Sequence, residues 1–130
     1  MSERIVFDAS ALLCLLNAEP GCEAVAETLP FAVIGAVNLS EVVAKLAEVG
    51  GSEERIGEAI RLLRLPVEAF DVEQAKIAGL LRVETRSLGL SLGDRACLAL
   101  ARRLAATAVT TDRAWAGLPA HLGLSVRIVR

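Results

Sequence analysis

The chain has 130 residues, 54% hydrophobic and 23% charged, which excludes intrinsic disorder and fits a single domain over 1–130. Fourteen basic residues against sixteen acidic ones give a net charge of −2, which excludes a protein that coats polyanions by bulk charge. Three Phe, one Trp and no Tyr are too few aromatics for an RNA module that stacks bases on aromatic platforms.

In chain order, Ile5-Val6-Phe7 reads as a short apolar strand buried on both faces, ending at Asp8. A helix over Ala9–Leu16 follows and stops near Pro20-Gly21, and a second runs from about Cys22 to Leu29. Phe31–Ile34 is the second strand. Asn38–Val49 is helical, with Leu39, Val42, Val43 and Leu46 on one face, and Gly50-Gly51 ends it. Glu53–Leu63 is the next helix and Val67–Phe70 the third strand, after Pro66. Asp71-x-x-Gln74 has the form of a capping box opening a helix to about Arg86, and Ser91-x-x-Asp94 one opening a helix to about Ala105. Ala106–Val109 is the fourth strand and Val126–Val129 the fifth, with helical character expected between them.

Strands separated by helices predict an α/β fold: a three-layer α/β/α sandwich around a central, mostly parallel, five-stranded sheet. In such a sheet the site lies beyond the carboxyl ends of the strands, where the strand order reverses. Neither GxGxxG nor GxxxxGK[ST] is present there, so the common nucleotide loops are not expected. The single histidine, His121, reads as a surface residue, so no histidine relay can be assembled. Cys14, Cys22 and Cys97 are odd in number and lack a CxxC pair, which fits a reducing, cytoplasmic compartment rather than a disulfide framework or zinc site. The opening residues do not form a signal peptide, and no apolar run reaches membrane-spanning length.

The acids carry the chemistry. Of sixteen, twelve are Glu and four are Asp. Asp8 follows the first strand, Glu41 lies in the first turn after the second, Asp94 in the first turn of the Ser91 helix, and Asp112 just after the fourth strand. Each alone is explained by helix capping, as is Asp71 beside the outlying third strand. Together they place four carboxylates on one sheet edge. Clustered carboxylates repel unless neutralised, and a hard divalent ion, Mg²⁺ or Mn²⁺, suits oxygen donors without His or Cys.

These residues also carry a resemblance. Ile5-Val6-Phe7-Asp8-Ala9-Ser10, Asn38-Leu39-Ser40-Glu41-Val42, Leu92-Gly93-Asp94-Arg95 through Ala101, and Ala108-Val109-Thr110-Thr111-Asp112-Arg113, in that order, resemble the motifs of PIN-domain ribonucleases, most closely VapC-type toxins of VapBC toxin–antitoxin pairs. The resemblance runs nearly end to end, and closes on Val126-Arg127-Ile128-Val129. It implies a PIN-like fold and a metal-dependent endoribonuclease, with Asp8, Glu41, Asp94 and Asp112 around one or two Mg²⁺ or Mn²⁺ ions. Ser10 and Thr111 would be polar helpers orienting a carboxylate or water. Arg95 and Arg113, each following a site acid, are the candidate RNA contacts, or partners of neighbouring acids. A homodimer and a cognate antitoxin protein are implied as partners, with RNA as substrate and no membrane.

Two other readings share these residues. One is a PIN-domain RNA-processing nuclease with no toxin role. The other is a non-catalytic α/β binding module such as a phospho-receiver. A receiver needs a phospho-acceptor Asp at the third strand and a Lys after the fifth, whereas here strand three ends at Phe70-Asp71 and no Lys follows Lys76. Setting the four site acids aside leaves fourteen basic against twelve acidic residues, compatible with RNA read locally by arginine.

Overall fold

A computed structural model describes residues 3–130. β1 (Ile5–Phe7) is followed by α1 (Ala9–Leu16) and α2 (Cys22–Thr28), which lead to β2 (Ala32–Gly35). α3 (Ala36–Glu48) and α4 (Glu53–Leu63) lead to a two-residue β3 (Val67–Glu68). α5 (Val72–Thr85) and α6 (Leu92–Leu104) lead to β4 (Thr107–Thr110), and two short 3-10 turns, Arg113–Gly117 and Ala120–Leu122, to β5 (Ser125–Ile128).

The five strands form one sheet in the order β3-β2-β1-β4-β5, and every pairing is parallel. This order follows from the handedness of the crossovers. Right-handed connections from β1 to β2 to β3 move outward in one direction and place α1 to α4 on one face. The connection from β3 back to β4 reverses direction, so α5 and α6 cover the opposite face. The chain therefore leaves β1 and β4 toward opposite faces, which opens a crevice between their carboxyl ends.

The core is split by the sheet as the two-residue period of a strand requires. Ile5, Phe7, Ile34 and Val109 pack with Leu12, Cys14, Val25 and Val42 in one layer. Val6 and Ala108, on the alternate face, pack with Leu81, Cys97, Leu98, Leu100 and Trp115 in the other. β1 is buried on both faces because helices cover both, which is why it carries no polar residue until Asp8.

Several boundaries differ from the sequence expectation, each for a physical reason. Phe31 lies in a 3-10 turn with Pro30 rather than in β2. β3 stops at Glu68, and Asp71 caps α5 through the Gln74 N–H at 2.9 Å. Gln74 does not complete the expected box; its amide donates to the Ala69 carbonyl at 2.8 Å instead. The expected helix between β4 and β5 is reduced to the two 3-10 turns, since Gly117, Pro119 and Gly123 interrupt the segment. α3 begins two residues early, at Ala36, because β2 runs straight into it through Gly35. Asn38 therefore lies inside the helix and is free for another use. No helix among the described residues is long and apolar enough to cross a membrane.

Candidate functional site

A cavity of about 400 Å³ opens at the carboxyl ends of the central strands, and Asp8, Glu41, Asp94 and Asp112 all line it. Asp8 is the most enclosed, only 4% exposed. It caps α1: one carboxylate oxygen accepts from the Ala11 N–H at 2.8 Å and from Ser10 Oγ at 2.7 Å. Its other oxygen accepts from Thr110 Oγ1.

The hydroxyls are themselves held by the chain leaving β4. The Asp112 N–H donates to Thr110 Oγ1 at 3.0 Å, and the Thr111 N–H donates to Ser10 Oγ at 3.0 Å. Both oxygens of Asp8 are thus tied, through one hydroxyl each, to consecutive backbone amides of the neighbouring strand's exit. The side chain that touches Asp8 from β4 is Thr110; Thr111 contributes its backbone. Register explains the difference. Val6 pairs with Ala108, so continuing the pairing brings Thr110 alongside Asp8 on the same face, with Thr111 directed away by the alternation of the strand.

Glu41 is half-buried on α3 and reaches across to α6. Its carboxylate lies against the Cα of Gly93, where a Cβ would stand 2.3 Å from Oε2 and 2.4 Å from Oε1. Asn38 Nδ2 donates to Glu41 Oε1 at 2.9 Å and to the Gly93 carbonyl at 3.0 Å. Asp94 completes a capping box on α6: Oδ2 accepts from the Ser91 N–H at 2.9 Å while Ser91 Oγ accepts from the Asp94 N–H at 3.1 Å. Asp112 is exposed at the rim and caps the following 3-10 turn through the Ala114 N–H at 2.9 Å. For Asp94 and Asp112 capping and pocket lining are thus compatible, because the cap uses one carboxylate oxygen and leaves the other available, whereas both oxygens of Asp8 are engaged.

The electrostatics show how tightly three of these acids converge. Burial pushes the Asp8 carboxyl up to about 6, against the pull of hydrogen bonds from Thr110, Ser10 and Ala11, with the Asp94 charge adding to the rise. Burial also raises Glu41, against the Asn38 hydrogen bond, and Asp94 again adds. Beneath the pocket the wholly buried Cys97 thiol is raised well above its ordinary value, by burial first and then by Asp8, Asp94 and Glu41. Among the described residues no three of the Asp, Glu, His and Cys side chains close into a metal cage. The arrangement is an open set of oxygen donors, the kind that holds a hydrated Mg²⁺ or Mn²⁺ through a few carboxylates.

The arginines separate. Arg95 is half-buried and turned away, its Nη1 donating to the Ala78 carbonyl at 2.9 Å, so it braces α6 against α5 instead of facing the pocket. Arg113 is exposed beside Asp112 at the rim. Lys45, which the sequence reading passed over, lines the pocket mouth and pairs with Glu48 at 3.8 Å. It stands one helical turn after Glu41, on the same face, and that i, i+4 spacing was the available signal. His121 pairs with Glu84 at 3.2 Å on the exterior, outside the pocket.

An all-parallel α/β/α sandwich with a carboxylate-lined crevice at its switch point defines the class. The chain belongs to the PIN domain family, whose model matches residues 5–120. Its fold is similar to a chain of the DNA-bound VapBC complex of Salmonella typhimurium (TM-score 0.77, 19% identity, 99% of this chain and 100% of that one). It is likewise similar to a chain of VapBC2 from Rickettsia felis bound to a promoter DNA fragment (TM-score 0.75, 17% identity, 95% and 97% covered). A third similar structure is VapC20 of Mycobacterium tuberculosis, described as a sarcin–ricin-loop-cleaving toxin (TM-score 0.71, 18% identity, 88% and 96% covered). The sequence has no significant match among curated proteins.

Because the folded-state pKa of Asp8 lies above its value of 3.8 in the open chain, the folded protein holds more protons than the unfolded one between about pH 4 and 6. Stability therefore falls as pH rises through that window, by up to about 3 kcal/mol. In chelator at pH 7.5, Asp8→Asn should melt higher than the unaltered chain, and the gap should vanish near pH 4; a lower melting point for the variant at pH 7.5 contradicts the account. Thr110→Val should cost roughly 1–3 kcal/mol in denaturant unfolding, because it strips a donor from Asp8 and an acceptor from the Asp112 N–H. Thr111→Val should change stability by no more than about 0.5 kcal/mol.

Proposed function

We propose that this chain is a Mg²⁺- or Mn²⁺-dependent endoribonuclease, the toxin of a type II toxin–antitoxin pair, built as one PIN domain over 1–130. The observation that carries the reading is the convergence of Asp8, Glu41 and Asp94 on one pocket, with Asp112 at its rim, in a member of the PIN family. Asp8, Asp94 and Glu41 would hold the ion through their carboxylate oxygens, with Asp112 joining from the rim. A divalent ion held by these carboxylates would supply activation of a water and stabilisation of charge on the phosphate.

The chain's own residues do the rest. Ser10 and Thr110 each hold one oxygen of Asp8, which fixes the orientation of its carboxylate. Glu41 has Oε1 held by the Asn38 amide, which leaves Oε2 as the oxygen it would offer to the ion. Lys45 and Arg113 present cations at the mouth and rim, where the phosphodiester backbone of RNA approaches. No histidine takes part, which agrees with the exterior position of His121.

The partners in this reading are RNA, a second copy of the chain and a cognate antitoxin, and the compartment is the cytoplasm. The antitoxin is supported by the VapBC complexes among the similar structures and by the way the pocket extends over Leu13 and Ala44, between α1 and α3.

Purified protein should cut RNA in Mg²⁺ or Mn²⁺, stop in EDTA and resume when the ion is restored. Asp8→Asn and Asp94→Asn should reduce cleavage to background while circular dichroism stays unchanged. Cleavage that survives thorough chelation, or full activity in both variants, refutes the reading.

A further inference from the structure

We infer that Asn38 and Gly93 are positioning residues that fix the Glu41 carboxylate in the pocket, joining α3 to α6 for that purpose. The catalytic meaning of this inference rests on the nuclease reading; the geometry does not.

Asn38 is 1% exposed and stands one turn before Glu41 on the same face of α3. Both hydrogens of its amide are engaged, one on Glu41 Oε1 and one on the Gly93 carbonyl 55 residues away. Its own oxygen, Oδ1, is buried with no partner. An asparagine kept only to stabilise the fold would have both ends of its amide satisfied. Here the two acceptors dictate which way the amide points, and the oxygen is left facing the sheet side, near Gly35. An apolar residue of similar size would remove that orphan oxygen and fill the same space, so packing does not call for the amide. What calls for it is the pair of acceptors, one of them the carboxylate of Glu41.

Gly93 completes the arrangement from the other side. The Glu41 carboxylate occupies the volume that any Cβ at position 93 would claim. Gly93 also stands directly before Asp94, so the Glu41 carboxylate and Asp94 are brought to the same first turn of α6. The amide donor steadies Glu41 where burial and the Asp94 charge would otherwise drive it out toward water.

The test uses the full chain carrying Asn38→Ala, Asn38→Asp, Gly93→Ala, Glu41→Gln and the double change Asn38→Ala/Glu41→Gln. With a short RNA and Mn²⁺, Asn38→Ala should lower kcat by about 10–100-fold while KM stays within about twofold, as for loss of a residue that orients a metal-site group. Asn38→Asp keeps the size but sets an acceptor against two acceptors, and should fall at least as far. Gly93→Ala should do the same by expelling Glu41. The double variant should be no slower than Glu41→Gln alone, since both changes act through one carboxylate. In a crystal of Asn38→Ala, the Glu41 carboxylate should leave its place against Gly93. Wild-type kcat in Asn38→Ala, additive losses in the double variant, or an unmoved Glu41 overturns the inference. If the unaltered chain cuts no RNA, the nuclease reading fails, and the crystal of Asn38→Ala still decides the positioning role. Should Asn38→Ala not fold, Gly93→Ala answers the same question.

Discussion

Everything at the site depends on how Asp8 is held. A carboxylate at the end of a buried central strand has nowhere to go for water, and its charge must be met by donors from the protein. Three arrive: the Ala11 N–H in the first turn of α1, Ser10 Oγ and Thr110 Oγ1. The two hydroxyls are in turn fastened by consecutive amides of the chain leaving β4. The parting of the chain at β1 and β4 would by itself produce only a gap. This relay closes the gap at its base and gives the crevice a rigid acidic floor.

The cluster is poorly suited to stability and well suited to a cation. Asp8 and Glu41 are both raised by burial, and Asp94 raises each further. A protein selected for stability alone would replace one of them with a neutral residue. Keeping all of them makes the pocket a region of unbalanced negative charge whose natural relief is a small ion of opposite sign. The same logic explains the arginines. Arg95, although it follows Asp94 in sequence, turns away from the cluster, and its fork is drawn into the α5–α6 seam. The cations left near the pocket stand farther out: Lys45 in its lining and Arg113 beside Asp112.

Much of this could be read from the sequence, for identifiable reasons. A short apolar run ended by Asp is a central strand meeting its first polar residue, so Asp8 could be placed at the sheet edge without a structure. Alternation of helices and strands gave the layers, and the outlying third strand set Asp71 apart as a cap. Distance-dependent details were not legible. Choosing Thr110 over Thr111 requires the β1–β4 register, which no local pattern encodes. Asn38 has the spacing of a cap before Glu41, and only the early start of α3 shows that its amide is engaged sideways with Gly93. The significance of Gly93 depends on a contact with a residue 52 positions away. The helix expected between β4 and β5 failed because Gly and Pro break what apolar spacing alone suggests.

Asp94 and Asp112 each use one oxygen to cap a helical element and leave the other uncommitted, and both line the pocket. Asparagine retains a carbonyl oxygen that caps almost as well. A single-nucleotide change in an aspartate codon can thus remove a charge from the pocket and leave the fold standing. Under the nuclease reading, a cell line that silences this gene product need not lose it. It can inherit a folded, inert copy that still engages its partners, so inactive alleles would persist as decoys in a population, not as debris for proteolysis.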